Sequence, residues 1–155
     1  AIEILKDAGY QHYEISNFAV QGMECRHNLV YWTYGEYLGL GAGAHSFLGG
    51  KRFYNHPAIL EYAGAIKNSK TAVADVESLS EKEQHAEFCF MGLRLIKGLS
   101  KDAFKKRFNR ELREVYGNTI DKLKQQGLLQ EDPEYIMLTA QGLDFANEVF
   151  MEFLP

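Results

Sequence analysis

Between Gly39 and Gly50 the chain reads Gly-Leu-Gly-Ala-Gly-Ala-His-Ser-Phe-Leu-Gly-Gly, five glycines in one short stretch, and regular helix is a poor solution for it. Each glycine costs a helix interior about 1 kcal/mol relative to alanine. The same residue opens left-handed backbone and lets main chain or a ligand approach closely. The stretch is therefore expected as strand and turn, with Tyr37–Gly41 a buried strand and Phe47–Asn55 a hairpin turning on Gly49-Gly50. Around it, residues 1–8 read as a helix stopped by Gly9, and Tyr13–Ser16 alternates as a short strand. Pro57 reads as the first residue of a helix running to Asn68.

Beyond a composition shift near Lys70–Ser80 the pattern turns helical. Ser80 with Glu83 marks a capping box, and Phe88, Met91 and Leu95 repeat at helical spacing up to Gly98. Ser100 caps a second helix carrying Phe104 and Phe108, and a third from Glu111 to Gln126 carries Val115, Ile120 and Leu123 before Gly127. Leu128–Gln130 and Tyr135–Leu138 flank a polar turn, and a last helix runs from Thr139 or Ala140 to Phe153. Three helices, a hairpin and a helix is a winged-helix order.

The 155 residues, 46% hydrophobic and 25% charged, suit a folded globular protein of one domain or two small ones. No apolar run reaches the roughly 20 residues that cross a bilayer. The chain opens at Ala1 without an initiator methionine, as a piece of something longer would. Two cysteines, Cys25 and Cys89, build neither a disulfide framework nor a four-cysteine metal site, which favours a reducing, cytoplasmic location. Residues 81–126 carry 11 basic and 7 acidic side chains, while 127–155 carry none and 6. The hairpin tip Glu131-Asp132-Pro133-Glu134 would repel phosphates, and Arg110, Arg113, Lys122 and Lys124 alternate with acids, so no DNA partner is expected.

Chemistry concentrates in Cys25-Arg26-His27-Asn28-Leu29-Val30-Tyr31-Trp32. On a helix His27 and Tyr31 share one face, and Asn28 and Trp32 the adjacent one. An imidazole beside two large aromatics can ligate a metal and stack on a flat macrocycle. Equally, Asn28 could cap the helix, Tyr31 and Trp32 could be core, and His27 a hydrogen-bonded rim residue. His45 either faces a cavity or bonds local backbone. Cys25 reads as a small buried hydrophobe. His12, His56 and His85 have no spacing partner, and Lys101, Lys105, Lys106 and Arg107 read as a solvated or docking face.

Tyr13-Glu14-Ile15-Ser16-Asn17-Phe18-Ala19, the His-Asn-x-x-Tyr-Trp pattern at 27–32, and Tyr37-x-Gly-x-Gly-Ala-Gly-Ala-His-Ser at 37–46 resemble radical SAM proteins related to oxygen-independent coproporphyrinogen III oxidase. Met91-Gly92-Leu93-Arg94-Leu95 and Leu138-Thr139-x-x-Gly142 are similar to that family's C-terminal domain. The His-Asn-x-x-Tyr-Trp pattern points to the HemW-type branch of haem chaperones.

The resemblance implies an α+β chain: residues 1–72 as the α/β tail of a partial TIM-like radical SAM barrel, and 73–155 as a mainly helical, winged-helix-like C-terminal domain. It implies haem as ligand, with His27 the candidate iron ligand, Asn28, Tyr31 and Trp32 beside it, and Gly39, Gly41, Gly43 and His45 lining a cofactor cavity. Haem or porphyrin, a radical SAM domain preceding this segment, and haem-accepting proteins are the implied partners. The family's [4Fe–4S] cluster and S-adenosylmethionine belong to the full-length parent only, because the cluster's three-cysteine loop is absent here and the chain is catalytically incomplete. Two other readings stand beside the haem chaperone. One is the oxidase itself, which converts coproporphyrinogen III to protoporphyrinogen IX, and the other is a winged-helix interaction module.

Overall fold

Gly9, Gly49, Gly50 and Gly127 take positive φ where elements end or reverse, and these turns punctuate the computed structural model, which describes residues 2–68 and 70–155. The residues gather into two compact units, Gly35–Lys82 in one and Ala1–Tyr34 with Glu83–Pro155 in the other.

In the larger unit, helix α1 (Ile2–Asp7) precedes an antiparallel hairpin of β1 (Gln11–Glu14) and β2 (Asn17–Ala19), registered Gln11 to Ala19. The strand expected at Tyr13–Ser16 thus lies two residues earlier, because Ile15 and Ser16 are taken by the turn. Helix α2 (Arg26–Trp32) follows.

The smaller unit is a three-stranded antiparallel sheet with one helix. Strands β3 (His45–Leu48) and β4 (Lys51–Asn55) reverse on Gly49-Gly50, both at positive φ, as the primed turns of two-residue hairpins require. Helix α3 (Ile59–Lys67) starts after Ala58, so Pro57 precedes the N-cap instead of opening the helix. The stretch of the composition shift near Lys70–Ser80 supplies β5 (Val73–Ser78), paired with β4. The buried strand expected at Tyr37–Gly41 does not form. Only Tyr37 bridges Phe47, and Leu38 and Leu40 are 63% and 83% exposed.

From Glu83 onward the larger unit resumes. Helix α4 (Glu81–Gly92) begins directly after Ser80 and ends six residues short of the expected Gly98. The chain leaves the helix to pair with β1: Ile15 N–H donates to Arg94 O at 3.0 Å and Ile96 N–H to Tyr13 O at 3.1 Å. Strand β6 (Leu99–Ser100) leads into α5 (Lys101–Phe108), capped by Ser100 Oγ accepting from Ala103 N–H. Helix α6 (Leu112–Gln125) ends at Gly127, and β7 (Leu129–Glu131) and β8 (Tyr135–Leu138) form the hairpin. Strand β6 adds to β8, giving the order β6-β8-β7. The last helix breaks at Phe145 (φ −113°, ψ 29°) into α7 (Ala140–Asp144) and α8 (Ala146–Met151).

The core of this unit is aromatic and aliphatic. Phe88, Phe104 and Phe108 pack edge to face or tilted with centroids 4.8–5.6 Å apart, and buried His85 joins them. Leu93, Leu99, Leu112, Ile120, Leu123, Ile136 and Phe153 are buried around this cluster. Among the described residues, no helix is long and apolar enough to cross a membrane.

Candidate functional site

Helix α2 is two turns long, enough to place side chains four apart on one face. Its N-cap is Cys25, in extended backbone with no side-chain cap bond, so Asn28 does not cap it. Cys25 is exposed, contrary to the buried position expected of it, and the fully buried thiol is Cys89, whose pKa burial pushes up.

His27 is exposed, and Tyr31, one turn on, meets it edge to face at 4.9 Å. The Tyr31 hydroxyl and His27 Nε2 share a 3.0 Å hydrogen bond. Trp32 lies 6.4 Å from Tyr31 between ring centroids. The structure therefore brings His27 and Tyr31 together on one face of α2 and sets Trp32 next to Tyr31, with Asn28 half-buried on the same helix.

Trp32 is held from outside its own helix. The Arg94 guanidinium, in the turn after α4, sits 4.3 Å above the indole centroid. Arg94 Nη2 lies 3.9 Å from Glu14 Oε2. Glu14 is 0% exposed, and its Oε1 accepts from Ser16 N–H at 3.0 Å and from Asn17 Nδ2. Neither Glu14 nor Arg94 was singled out by sequence reasoning. Strand alternation beside Tyr13 and Ile15 would turn Glu14 to solvent, and its buried position goes with the hydrogen bonds from Ser16 and Asn17 and the charge of the distant Arg94. Beyond the indole, a cavity of about 210 Å³ is lined by Trp32, Phe88, Leu95, Lys97, Leu99 and Tyr135.

Within the smaller unit the glycines serve the local fold. A Cβ on Gly39 would stand 2.2 Å from His45 O, so that position demands close backbone approach. Gly39 N–H donates to Ser46 Oγ at 2.9 Å, and Asn55 Nδ2 donates to Gly39 O and Gly41 O. Gly41 and Gly43 take φ of +107° and +68°. His45 is an exposed strand residue facing Tyr54 across the β3–β4 pair, ring centroids 5.3 Å apart, instead of a turn histidine. With Arg52, Tyr54, Asp75 and Glu77 it lines a shallow surface hollow of about 410 Å³.

An exposed imidazole beside a phenol suits a planar metal macrocycle, with the neutral ring nitrogen as donor and the Tyr31 ring as neighbouring aromatic surface. The residues do not suit an iron–sulfur cluster. Cys25 is exposed on α2 and Cys89 is sealed in the core, and no group of three or more His, Cys, Asp or Glu side chains is set to hold a metal ion among the described residues.

Residues 79–145 match the HemN C-terminal domain family. Over nearly its whole length the chain is similar to proteins described as heme chaperone HemW. It is 39% identical to that of Lactococcus lactis across 99% of this chain and 40% of the relative, and 38% identical to that of Bacillus subtilis across 94% and 38%. Its fold matches Escherichia coli coproporphyrinogen III oxidase (HemN), a radical SAM enzyme, with a TM-score of 0.72 and 18% identity, covering 98% of this chain and 38% of that one. The chain thus spans about two-fifths of the length of the relatives it matches.

Proposed function

The chain belongs to the HemN/HemW family of coproporphyrinogen III oxidase-like radical SAM proteins, and from that membership we propose that it serves as the C-terminal part of a haem chaperone. On this reading α2 carries the haem motif. His27 is the axial ligand and Tyr31 and Trp32 contact the macrocycle. Haem is the cargo, bound and passed to acceptor proteins, and the neutral imidazole supplies the bond to iron. The observation that carries the proposal is the exposed His27 imidazole in contact with Tyr31 on α2, in a chain that resembles haem chaperones throughout.

A single exposed imidazole also fits transfer. One protein ligand on an accessible helix binds reversibly and leaves the opposite face of the macrocycle open to an acceptor. Residues 1–72 would then be the tail of the catalytic domain and 73–155 the C-terminal domain, with Gly39, Gly41, Gly43 and His45 turned to the parent's cofactor cavity. The match at residues 79–145 supports the second of these parts, while the compact units of the fold divide the chain differently, with Gly35–Lys82 as one and 1–34 with 83–155 as the other. The cluster and S-adenosylmethionine would be held by the parent's remaining residues.

The winged-helix order of α4–α6 and the β7–β8 hairpin supports an interaction role for this part, without DNA. Arg113 and Lys124, which a DNA reader would aim at phosphates, are engaged by Glu131 instead.

Haem titration followed by Soret absorbance tests the proposal, in this chain and in a longer protein carrying it. The expected result is a histidine-ligated spectrum that His27→Ala abolishes. Unchanged affinity and spectrum in the variant would return His27 to the surface and overturn the assignment.

A further inference from the structure

The geometry points to Arg94 as the positioning residue for Trp32, a cation paired in charge with the buried Glu14 carboxylate that fixes the indole plane beside Tyr31. Three observations converge on it. The guanidinium lies 4.3 Å over the Trp32 centroid, within the range where the ring face attracts a cation. Its Nη2 also lies 3.9 Å from Glu14 Oε2, and Glu14 is 0% exposed while the Arg94 side chain is 27% exposed. The segment carrying Arg94 is tied to the β1–β2 hairpin by the Ile15–Arg94 and Ile96–Tyr13 backbone bonds, so the guanidinium is presented by fixed main chain and does not hang on a free tether.

The arrangement has a direct consequence for Trp32. Its residue is the last of α2, where helical hydrogen bonding gives least support. Its Nε1 is buried and has no hydrogen-bond partner among the described residues. The indole is therefore oriented through its face, by Arg94, and not through its polar edge. Glu14 attracts the cation across that 3.9 Å by charge and not by a hydrogen bond, since its buried Oε2 accepts none among the described residues, while Ser16 and Asn17 satisfy the carboxylate's other oxygen. Hairpin, post-helix turn and motif helix become one linked unit. That Arg94 thereby also tunes macrocycle binding rests on the haem reading above.

Trp32 is the only tryptophan of the chain, so its fluorescence reads the proposal directly. The variants are Arg94→Met, Arg94→Lys, and the paired change Glu14→Gln with Arg94→Met, which removes both charges and leaves no uncompensated buried carboxylate. Far-ultraviolet circular dichroism verifies the fold of each. The expected result is a red-shifted Trp32 emission and acrylamide quenching raised at least about twofold in Arg94→Met and in the pair. Haem binding should weaken about three- to tenfold in both, as loss of a cation over an indole predicts. Arg94→Lys, which keeps the charge and loses the planar stack, should fall between the parent and Arg94→Met on both measures.

Unchanged emission and quenching in the folded pair would overturn the positioning role. A changed Trp32 signal with haem affinity equal to the parent's would overturn its extension to the ligand. If Trp32 responds while even His27→Ala leaves haem affinity unchanged, the haem reading has failed and the positioning role stands.

Discussion

The Tyr31 hydroxyl lies 3.0 Å from His27 Nε2, one turn along α2, with the two rings edge to face at 86°. Helical spacing put the pair on one face, but it assigned Tyr31 only a ring contact. The bond commits one imidazole nitrogen to the phenol. Iron ligation through Nε2 must exchange that bond, whereas ligation through Nδ1 keeps it and fixes the ring's orientation.

Tyr31→Phe separates the two cases, because it keeps the ring and deletes the hydroxyl. If the bond persists in the complex, affinity should fall about two- to tenfold, the worth of one hydrogen bond, and Tyr31→Ala should weaken it further. If Nε2 binds iron, Tyr31→Phe should bind as tightly as the parent or more tightly. In either case binding should weaken in acid, since imidazolium cannot donate to iron. Soret titrations across pH check both statements.

Glu131 on β7 collects three cations: Lys101 Nζ and Lys124 Nζ at 2.8 Å each and Arg113 Nε at 2.9 Å. The Arg113 hydrogen bond, with Lys101 and Lys124 behind it, holds the Glu131 carboxyl well below the ordinary carboxylate range. A depressed folded-state pKa gives stability that is present above the unfolded value near 4.3 and lost as pH falls below it. Glu131→Gln should cost about 1–2 kcal/mol at pH 7, a figure discounted because its partners are partly exposed. Between about pH 4.5 and 3 the variant should lose less further stability than the parent. Thermal unfolding at stepped pH is the measurement, and parallel pH dependences would exclude Glu131 as the hub.

Cys25 is exposed and Cys89 is 0% exposed with its pKa raised by burial. One thiol per chain should react promptly with a chromogenic disulfide reagent under native conditions, and the second only in denaturant, because the thiolate is the reactive form. Incubation with iron and sulfide should give no stoichiometric [4Fe–4S] absorbance. Two fast thiols, or a stable cluster, would contradict the placement of these residues.

Gly98 and Gly117 should respond oppositely to alanine. Gly98 sits at φ +92°, and a Cβ there would stand 2.4 Å from Ile136 O. Gly98→Ala should therefore destabilise by about 2–5 kcal/mol, combining left-handed strain with overpacking. Gly117 directly follows Tyr116, where the backbone of α6 leaves helical geometry (φ −122°, ψ 17°), and has open space around it. Gly117→Ala should stabilise by about 0.5–1 kcal/mol through helix propensity and unfolded-state entropy. Urea unfolding of both variants decides the matter, and a stable Gly98→Ala would show that the backbone there can move.

Local rules made the helices and turns legible. Ser100 caps α5 through its own hydroxyl, Gly9 and Gly127 terminate helices at positive φ, and Gly49-Gly50 turns the β3–β4 hairpin. These features depend on neighbours a few residues apart, which the sequence displays directly. Strand Tyr135–Leu138 was equally visible. The stripe of Phe88, Met91 and Leu95 was only partly so, because α4 ends at Gly92 and of the three only Phe88 is buried, beside His85, Ala86 and Cys89. The strand β5 was not, because its residues are largely exposed and carry no clear alternation of burial. Its existence depends on the edge that β4 offers.

By itself, then, the sequence determined the phase of α2, and with it the meeting of His27 and Tyr31, since a 3.6-residue period brings positions four apart together whatever surrounds the helix. Tertiary structure alone decided that α4 stops at Gly92, that Cys25 is exposed while Cys89 is buried, and that Glu14 turns inward to face Arg94 above Trp32. Each of these outcomes depends on which distant segment arrives to pair a backbone edge or neutralise a charge. A buried carboxylate is tolerable only where such a partner is supplied, and a local pattern holds no record of a partner so far along the chain.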